Sequence, residues 1–159
     1  MKKSSGRKRT DSASRVIMAS PQVIYQAFLD TEAILSWRPP AGMKGQIHAF
    51  DPREGGTFRM SFTYCDAGHE VLGKTSEHTD VFEGRFLELV PDKKIVEIVE
   101  FESDDPAFAG AMTVVTTLVP VSGGTEVTIR CENVPSGIGP GDHEAGILSS
   151  LENLAAFTE

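Results

Sequence analysis

Apolar and polar positions along this chain keep two periods, and the change from one to the other lays out its elements. Between Pro21 and Trp37 the apolar positions fall at helical spacing. Val23, Ile24, Ala27, Phe28 and Leu29 form one stripe, entered through Ser20-Pro21, where Ser serves as N-cap and Pro suits the first helical position. A second short helix restarts at Asp30-Thr31-Glu32 and carries Ala33, Ile34, Leu35 and Trp37. It must stop before Pro39-Pro40, because the residue preceding a proline disfavours helical geometry. From Gly45 onward the period is two. In Thr57 to Cys65, Phe58, Met60, Phe62 and Tyr64 alternate with Thr57, Arg59, Ser61 and Thr63, so the first set faces an interior. The helical period returns only in Gly141 to Glu159, where Ile147, Leu151 and Leu154, joined by Leu148 and Ala155, make one apolar stripe.

Further strands are predicted at Ser12 to Ala19, Gln46 to Phe50, Thr79 to Val90, Lys94 to Glu102, Ala111 to Val119 and Thr125 to Glu132. Asp51 to Gly56 is a turn made of breakers, Asp66 to Glu77 a polar loop with a short strand end near Val71-Leu72, and Pro135 to Pro140 a glycine-rich hinge. The order is strand, two short helices, six strands, long helix. A β-sandwich leaves the helices unexplained, and a doubly wound fold needs a helix between most strand pairs. The expected class is α+β: one curved antiparallel sheet of seven strands around a long C-terminal helix.

Composition narrows the function. At 159 residues the chain is expected to form one domain, 12–159, behind a disordered basic leader, 1–11. Lys2, Lys3, Arg7, Lys8 and Arg9 put five bases in the first ten residues, leaving 10 bases against 23 acids in the rest. So acidic a body repels a phosphate backbone, which argues against nucleic-acid binding by the folded domain. No apolar run is long enough for a membrane span and no secretory signal precedes the first strand, so the expected location is cytoplasmic. Cys65 and Cys131, far apart in sequence, are expected as buried reduced thiols.

Several short motifs, in order, carry a family resemblance: Ser20-Pro21 with Tyr25, Ala27 and Phe28; Trp37-Arg38-Pro39; Asp51-x-Arg53-x-Gly55-Gly56-x-Phe58; Phe82-x-Gly84-x-Phe86-x-Glu88-x-x-Pro91; and Gly124-Thr125-x-Val127-x-Ile129. Over about residues 14 to 157 the chain resembles the family of homologues of the activator of heat-shock-protein-90 ATPase, within the START and birch-pollen-allergen superfamily. The resemblance implies the helix-grip fold and, from the superfamily's range, a pocket for a lipid, hormone, polyketide or other apolar molecule. It also implies two alternatives, a cyclase- or hydrolase-like enzyme and a co-chaperone-like interaction module. In one place the chain departs: relatives often read His-x-x-Gly-Trp at the start of the last helix, and here His143-Glu144-Ala145-Gly146 is followed by Ile147. Loss of that ring widens the pocket or lets another side chain fill it.

The leading expectation is a small apolar or aromatic ligand held between the sheet and the last helix, in a monomer or homodimer, with no cofactor and no covalent chemistry. Phe58, Met60, Phe62 and Tyr64 with Met112 and Val114 make an apolar, aromatic and thioether-rich lining. Tyr25 and Tyr64 are its polar handles, Trp37 either a plain packing residue or its gate or stacking residue, and Arg38 either a partner for a ligand carboxylate or phosphate or a solvent-facing side chain. His143 and Ile147 complete the set on the last helix. Enzymatic chemistry would need Tyr64, His143 or an inward-facing Glu83, Glu97 or Glu100 as acid or base. The spacing of His48, His69, His78 and His143 matches no zinc motif, and no Gly-x-Ser-x-Gly elbow occurs. A void of about 300 Å³ or more would favour the ligand reading, and a filled interior the interaction module.

Overall fold

The computed structural model describes residues 9–40, 42–64 and 79–159. Cys65, His69, His78, the loop Asp66 to Glu77, the strand end near Val71-Leu72 and the first eight residues lie outside them. The chain runs β1 (Arg9–Ile17), α1 (Pro21–Ala27), α2 (Thr31–Trp37), β2 (Met43–Phe50), β3 (Thr57–Tyr64), β4 (Thr79–Val90), β5 (Lys94–Phe101), β6 (Met112–Val121), β7 (Gly124–Val134) and α3 (Pro140–Thr158), with a 3-10 turn at Pro106–Phe108. The strands form one antiparallel sheet of seven in the order β1-β7-β6-β5-β4-β3-β2. This is the expected α+β helix-grip arrangement. Strand β1 starts three residues before the predicted Ser12, inside the stretch read as leader, because β7 continues to Val134 and gives Arg9 a partner.

Local chemistry explains the boundaries. Ser20 accepts a hydrogen bond from the Val23 amide and Pro21 opens α1, while Asp30 caps α2 through the Glu32 amide. Trp37 closes the helix pair: its indole N–H donates to the Ala27 carbonyl at 2.8 Å, and its ring lies 4.6 Å from that of Phe28. Irregular pairing in β1, β2 and β4 bends the sheet so that its inner face is concave.

Helix α3 buries Ile147, Leu151, Leu154 and Ala155 at successive turns, whereas Leu148, expected in the same stripe, is exposed. It rests on β1 and on α1 and α2, at one side of the sheet. Two side chains fasten it there: Ser150 donates to the Arg38 carbonyl at 2.8 Å and Asn153 to the Pro39 carbonyl at 3.1 Å.

The glycines of the motifs have backbone reasons. Gly55 has φ of +82°, and a Cβ on Gly56 would fall 2.1 Å from the Asp51 carbonyl oxygen. The Gly55 amide donates to Phe86 O and the Phe86 amide to Gly56 O, which stitches this turn to β4. A Cβ on Gly84 would meet the Ile98 carbonyl oxygen at 2.2 Å and the Phe58 ring at 2.7 Å. Because the closest obstacle is backbone, Gly84→Ala is expected to destabilise the fold by about 1–3 kcal/mol. Urea unfolding checks this; an unchanged midpoint would show that the β4–β5 pairing is looser than described.

Candidate functional site

Inward alternation on the central strands and the sideways seat of α3 leave a space between them. Strand β6 turns Met112, Val114, Thr116 and Leu118 inward, and β5 turns Ile95, Glu97 and Val99 inward. A partly open void of about 480 Å³ lies over this floor. Phe28, Trp37 and Arg38 wall it from the helix pair, Ile147 and Ser150 from α3, and Phe62, Phe82 and Phe101 from the sheet. Those three phenylalanines pack edge to face, with centroids 5.0 Å and 6.0 Å apart.

The wall is not wholly apolar. The Arg38 guanidinium donates both terminal nitrogens to the two Glu97 oxygens at 3.1 Å each, a bidentate pair with side chains 15% and 2% exposed. Phe58 lies beneath the guanidinium, 6.0 Å from its ring centre. Tyr64, Asp80, Asp142 and His143 line the same space. Burial first, and then the Asp80 and Asp142 carboxylates, raise the Tyr64 hydroxyl above the ordinary phenol value, so it is a neutral group at pH 7.

A second network holds the start of α3. His143 Nδ1 lies 2.7 Å from Asp11 Oδ2, and Arg9 reaches both the Asp11 carboxylate, at 3.0 Å, and the Ile138 carbonyl. Burial acts to raise the Asp11 carboxyl, but the hydrogen bonds from Arg9 and His143 outweigh it and hold it below the usual carboxylate value. This network ties the hinge Pro135 to Pro140 and the first turn of α3 to the first strand.

A family model described as Activator of Hsp90 ATPase homolog 1-like protein matches residues 18–159. The chain belongs to this family. Among solved structures, protein CV1439 from Chromobacterium violaceum is 35% identical with a TM-score of 0.83, covering 94% of this chain and 96% of that one. Protein Mll3558 from Rhizobium loti is 25% identical, with a TM-score of 0.71 and coverage of 94% and 96%. A protein from Arthrobacter aurescens, 14% identical, shares the fold with a TM-score of 0.77 over 99% of this chain and 89% of its own. No curated protein matches.

In this member of the Hsp90-ATPase-activator-like family, Trp37, Arg38, Phe62, Tyr64, Met112, His143 and Ile147 all border the void. Tyr25, Phe58 and Met60 do not. Tyr25 is buried, with its hydroxyl raised by that burial and then by Asp92 and Glu54. It is a core residue of α1 rather than part of the void's wall. Phe58 packs on Phe86, with centroids 5.1 Å apart, and acts as the shelf under Arg38; Met60 is a filled core position. Arg38 is not solvent-facing, because Glu97 draws it in. Of the three glutamates raised as inward candidates, Glu97 is buried and Glu83 and Glu100 are exposed.

Sequence reasoning missed Asp80, Phe82, Phe101, Phe108 and Thr116 at the void. Strand alternation carried a signal for Thr116, which shares a parity with Met112 and Val114. Cys131 is buried in the wall, and burial pushes its thiol up to about 12, so it is inert. Among the described residues no three His, Cys, Asp or Glu side chains converge on a metal-sized site.

Two predictions follow from the ion pairs. Removing one partner of the buried pair, as in Arg38→Leu, leaves an uncompensated charge and is expected to cost about 3–5 kcal/mol, whereas Arg38→Leu with Glu97→Leu recovers most of that loss. Equal denaturation midpoints for the single and double variants would contradict the pairing. At Asp11 the folded-state value lies below the unfolded one, so its contribution is present above about pH 4. It disappears as pH falls through the folded value. The Tm gap between wild type and Asp11→Asn should therefore shrink from pH 5 towards about pH 2; a gap that widens on acidification would refute the network.

Proposed function

We propose that this chain is a small-molecule-binding protein that holds an apolar or aromatic ligand between the central strands and α3. The observation that carries this is the void of about 480 Å³, which falls within the range of roughly 300–1,000 Å³ typical of small-molecule pockets. Its lining supports the reading. The Phe62, Phe82 and Phe101 rings and the Met112 and Val114 side chains offer an apolar bed, and a few polar groups at its edge can orient what lies on it. Trp37 stands at the wall with its N–H already satisfied by the Ala27 carbonyl, so it adds apolar surface without a buried polar group left over.

The reading takes the chain to be a cytoplasmic binding protein. It assigns Arg38, Phe62, Tyr64, Met112, His143 and Ile147 to ligand contact. The family is described by an activator of the Hsp90 ATPase; the void, rather than a surface patch, is the feature that supports binding a small molecule over binding a chaperone. No helix among the described residues is long and apolar enough to cross a membrane.

The test uses N-phenyl-1-naphthylamine, an uncharged dye that brightens in apolar surroundings. Wild type is expected to bind it saturably, and Val114→Trp, which adds a ring where β6 faces the void, should weaken binding at least about tenfold while the protein still unfolds cooperatively. An affinity unaffected by Val114→Trp, or no binding by wild type, would remove the proposal.

A further inference from the structure

One buried polar group sets a requirement on the ligand. Among the described residues, five polar or charged ones are buried: Ser61, Asp80, Glu97, Thr116 and Thr125. Ser61 bonds His48, Thr125 donates to the Ala19 carbonyl, Glu97 pairs with Arg38, and Asp80 has a partner of its own. Thr116, 1% exposed, has no side-chain hydrogen bond among the described residues, and it lines the void. A buried hydroxyl without a partner is costly, so native structures rarely leave one unused. With no partner among the described residues, the group that lies beside it is whatever the void contains.

The surroundings of Thr116 say which contents fit. It sits opposite Ile95 on β5 and Ile129 on β7, so its closest cross-strand neighbours are hydrocarbon. Glu97 and Cys131 occupy the diagonal positions, opposite Val114, roughly 7–8 Å away and within the span of one ring. Arg38 has given two N–H groups to Glu97 and keeps further donors at the wall. Because Glu97 already neutralises that guanidinium, it offers hydrogen bonds without a net positive field. An anionic ligand would meet the Asp80, Glu97 and Asp142 carboxylates of the described wall, with Arg38 and His143 as the basic side chains there. His143 is turned to Asp11, and Asp11 is turned in part to Arg9.

Resting on the small-molecule reading above, we propose that the preferred occupant is an uncharged aromatic or alicyclic molecule bearing a hydrogen-bonding oxygen, a ketone or a phenol, with that oxygen seated between Thr116 and Arg38. A pure hydrocarbon of the same shape displaces whatever water serves the Thr116 hydroxyl and returns no bond, so it binds less well.

Four naphthalene probes of similar size test this by calorimetry or competition: 2-ethylnaphthalene, 2-acetylnaphthalene, 2-naphthol and 2-naphthoate. The ketone and the phenol are expected to bind at least about tenfold more tightly than the hydrocarbon, and the carboxylate more weakly than either. In Thr116→Val the advantage of ketone over hydrocarbon should fall to within about twofold, while Thr116→Ser keeps it. Equal affinities across the neutral probes, preference for the naphthoate, or an advantage that survives Thr116→Val would each overturn this inference and leave the small-molecule reading standing. Failure of every probe, the hydrocarbon included, would overturn both.

Discussion

A sheet of seven strands is about 29 Å across at roughly 4.8 Å per strand, and one helix with its side chains covers only about 10–12 Å of that width. This mismatch governs the rest of the molecule. Helix α3 lies along β1, and α1 and α2 cover a second portion. What remains is the concave middle, β3 to β6, whose inward side chains must fill the space alone or leave it open. Phe62, Phe82 and Phe101 fill part of it, and the remainder is the void. The fold keeps that void from collapsing by pinning α3 at a distance, through Ser150 and Asn153 to the Arg38-Pro39 backbone and through His143 to Asp11.

Most of the fold was legible because its signals are local. Alternation in TFRMSFTY, the Ser20-Pro21 cap and the Pro39-Pro40 stop each act over a few residues, and the elements they announce appear within about three residues of their predicted ends. The errors come from partners that a local pattern does not contain. Strand β1 begins early because β7 reaches far enough to pair with Arg9. Leu148 faces solvent although it fits an apolar stripe, because only the side of α3 that meets β1 and the short helices is covered.

The site was legible in outline and less so in its chemistry. Parity along a strand says which residues point inward, so Phe62, Tyr64, Met112 and Val114 could be chosen from sequence. Parity does not say how deep the inner face is at each point. Phe58 and Met60 share a face with Phe62 and Tyr64 yet are fully buried and do not border the void, so they are core rather than lining. Glu97 is the more instructive case. In KIVEIVEF it holds the same parity as Ile95 and Val99, a place where an unpaired carboxylate is not tolerated. That parity demanded a cation from elsewhere in the chain, and Arg38 is the residue that answers.

Polar groups in this interior come paired, and the pairs do different work. Arg38 with Glu97 joins the helix pair to the sheet floor, His143 with Asp11 joins α3 to the first strand, and Thr116, which lines the space between, has no side-chain partner among the described residues. The central claim is that this space is where a ligand sits. Methyl-labelled protein provides the most direct measurement: intermolecular NOEs between a bound naphthalene ketone and the methyl groups of the chain. The account predicts contacts to Val99, Val114, Ile129 and Ile147 and none to Val16 or Val119, which lie exposed on the outer face of the sheet. Contacts confined to Val16 and Val119 would contradict it.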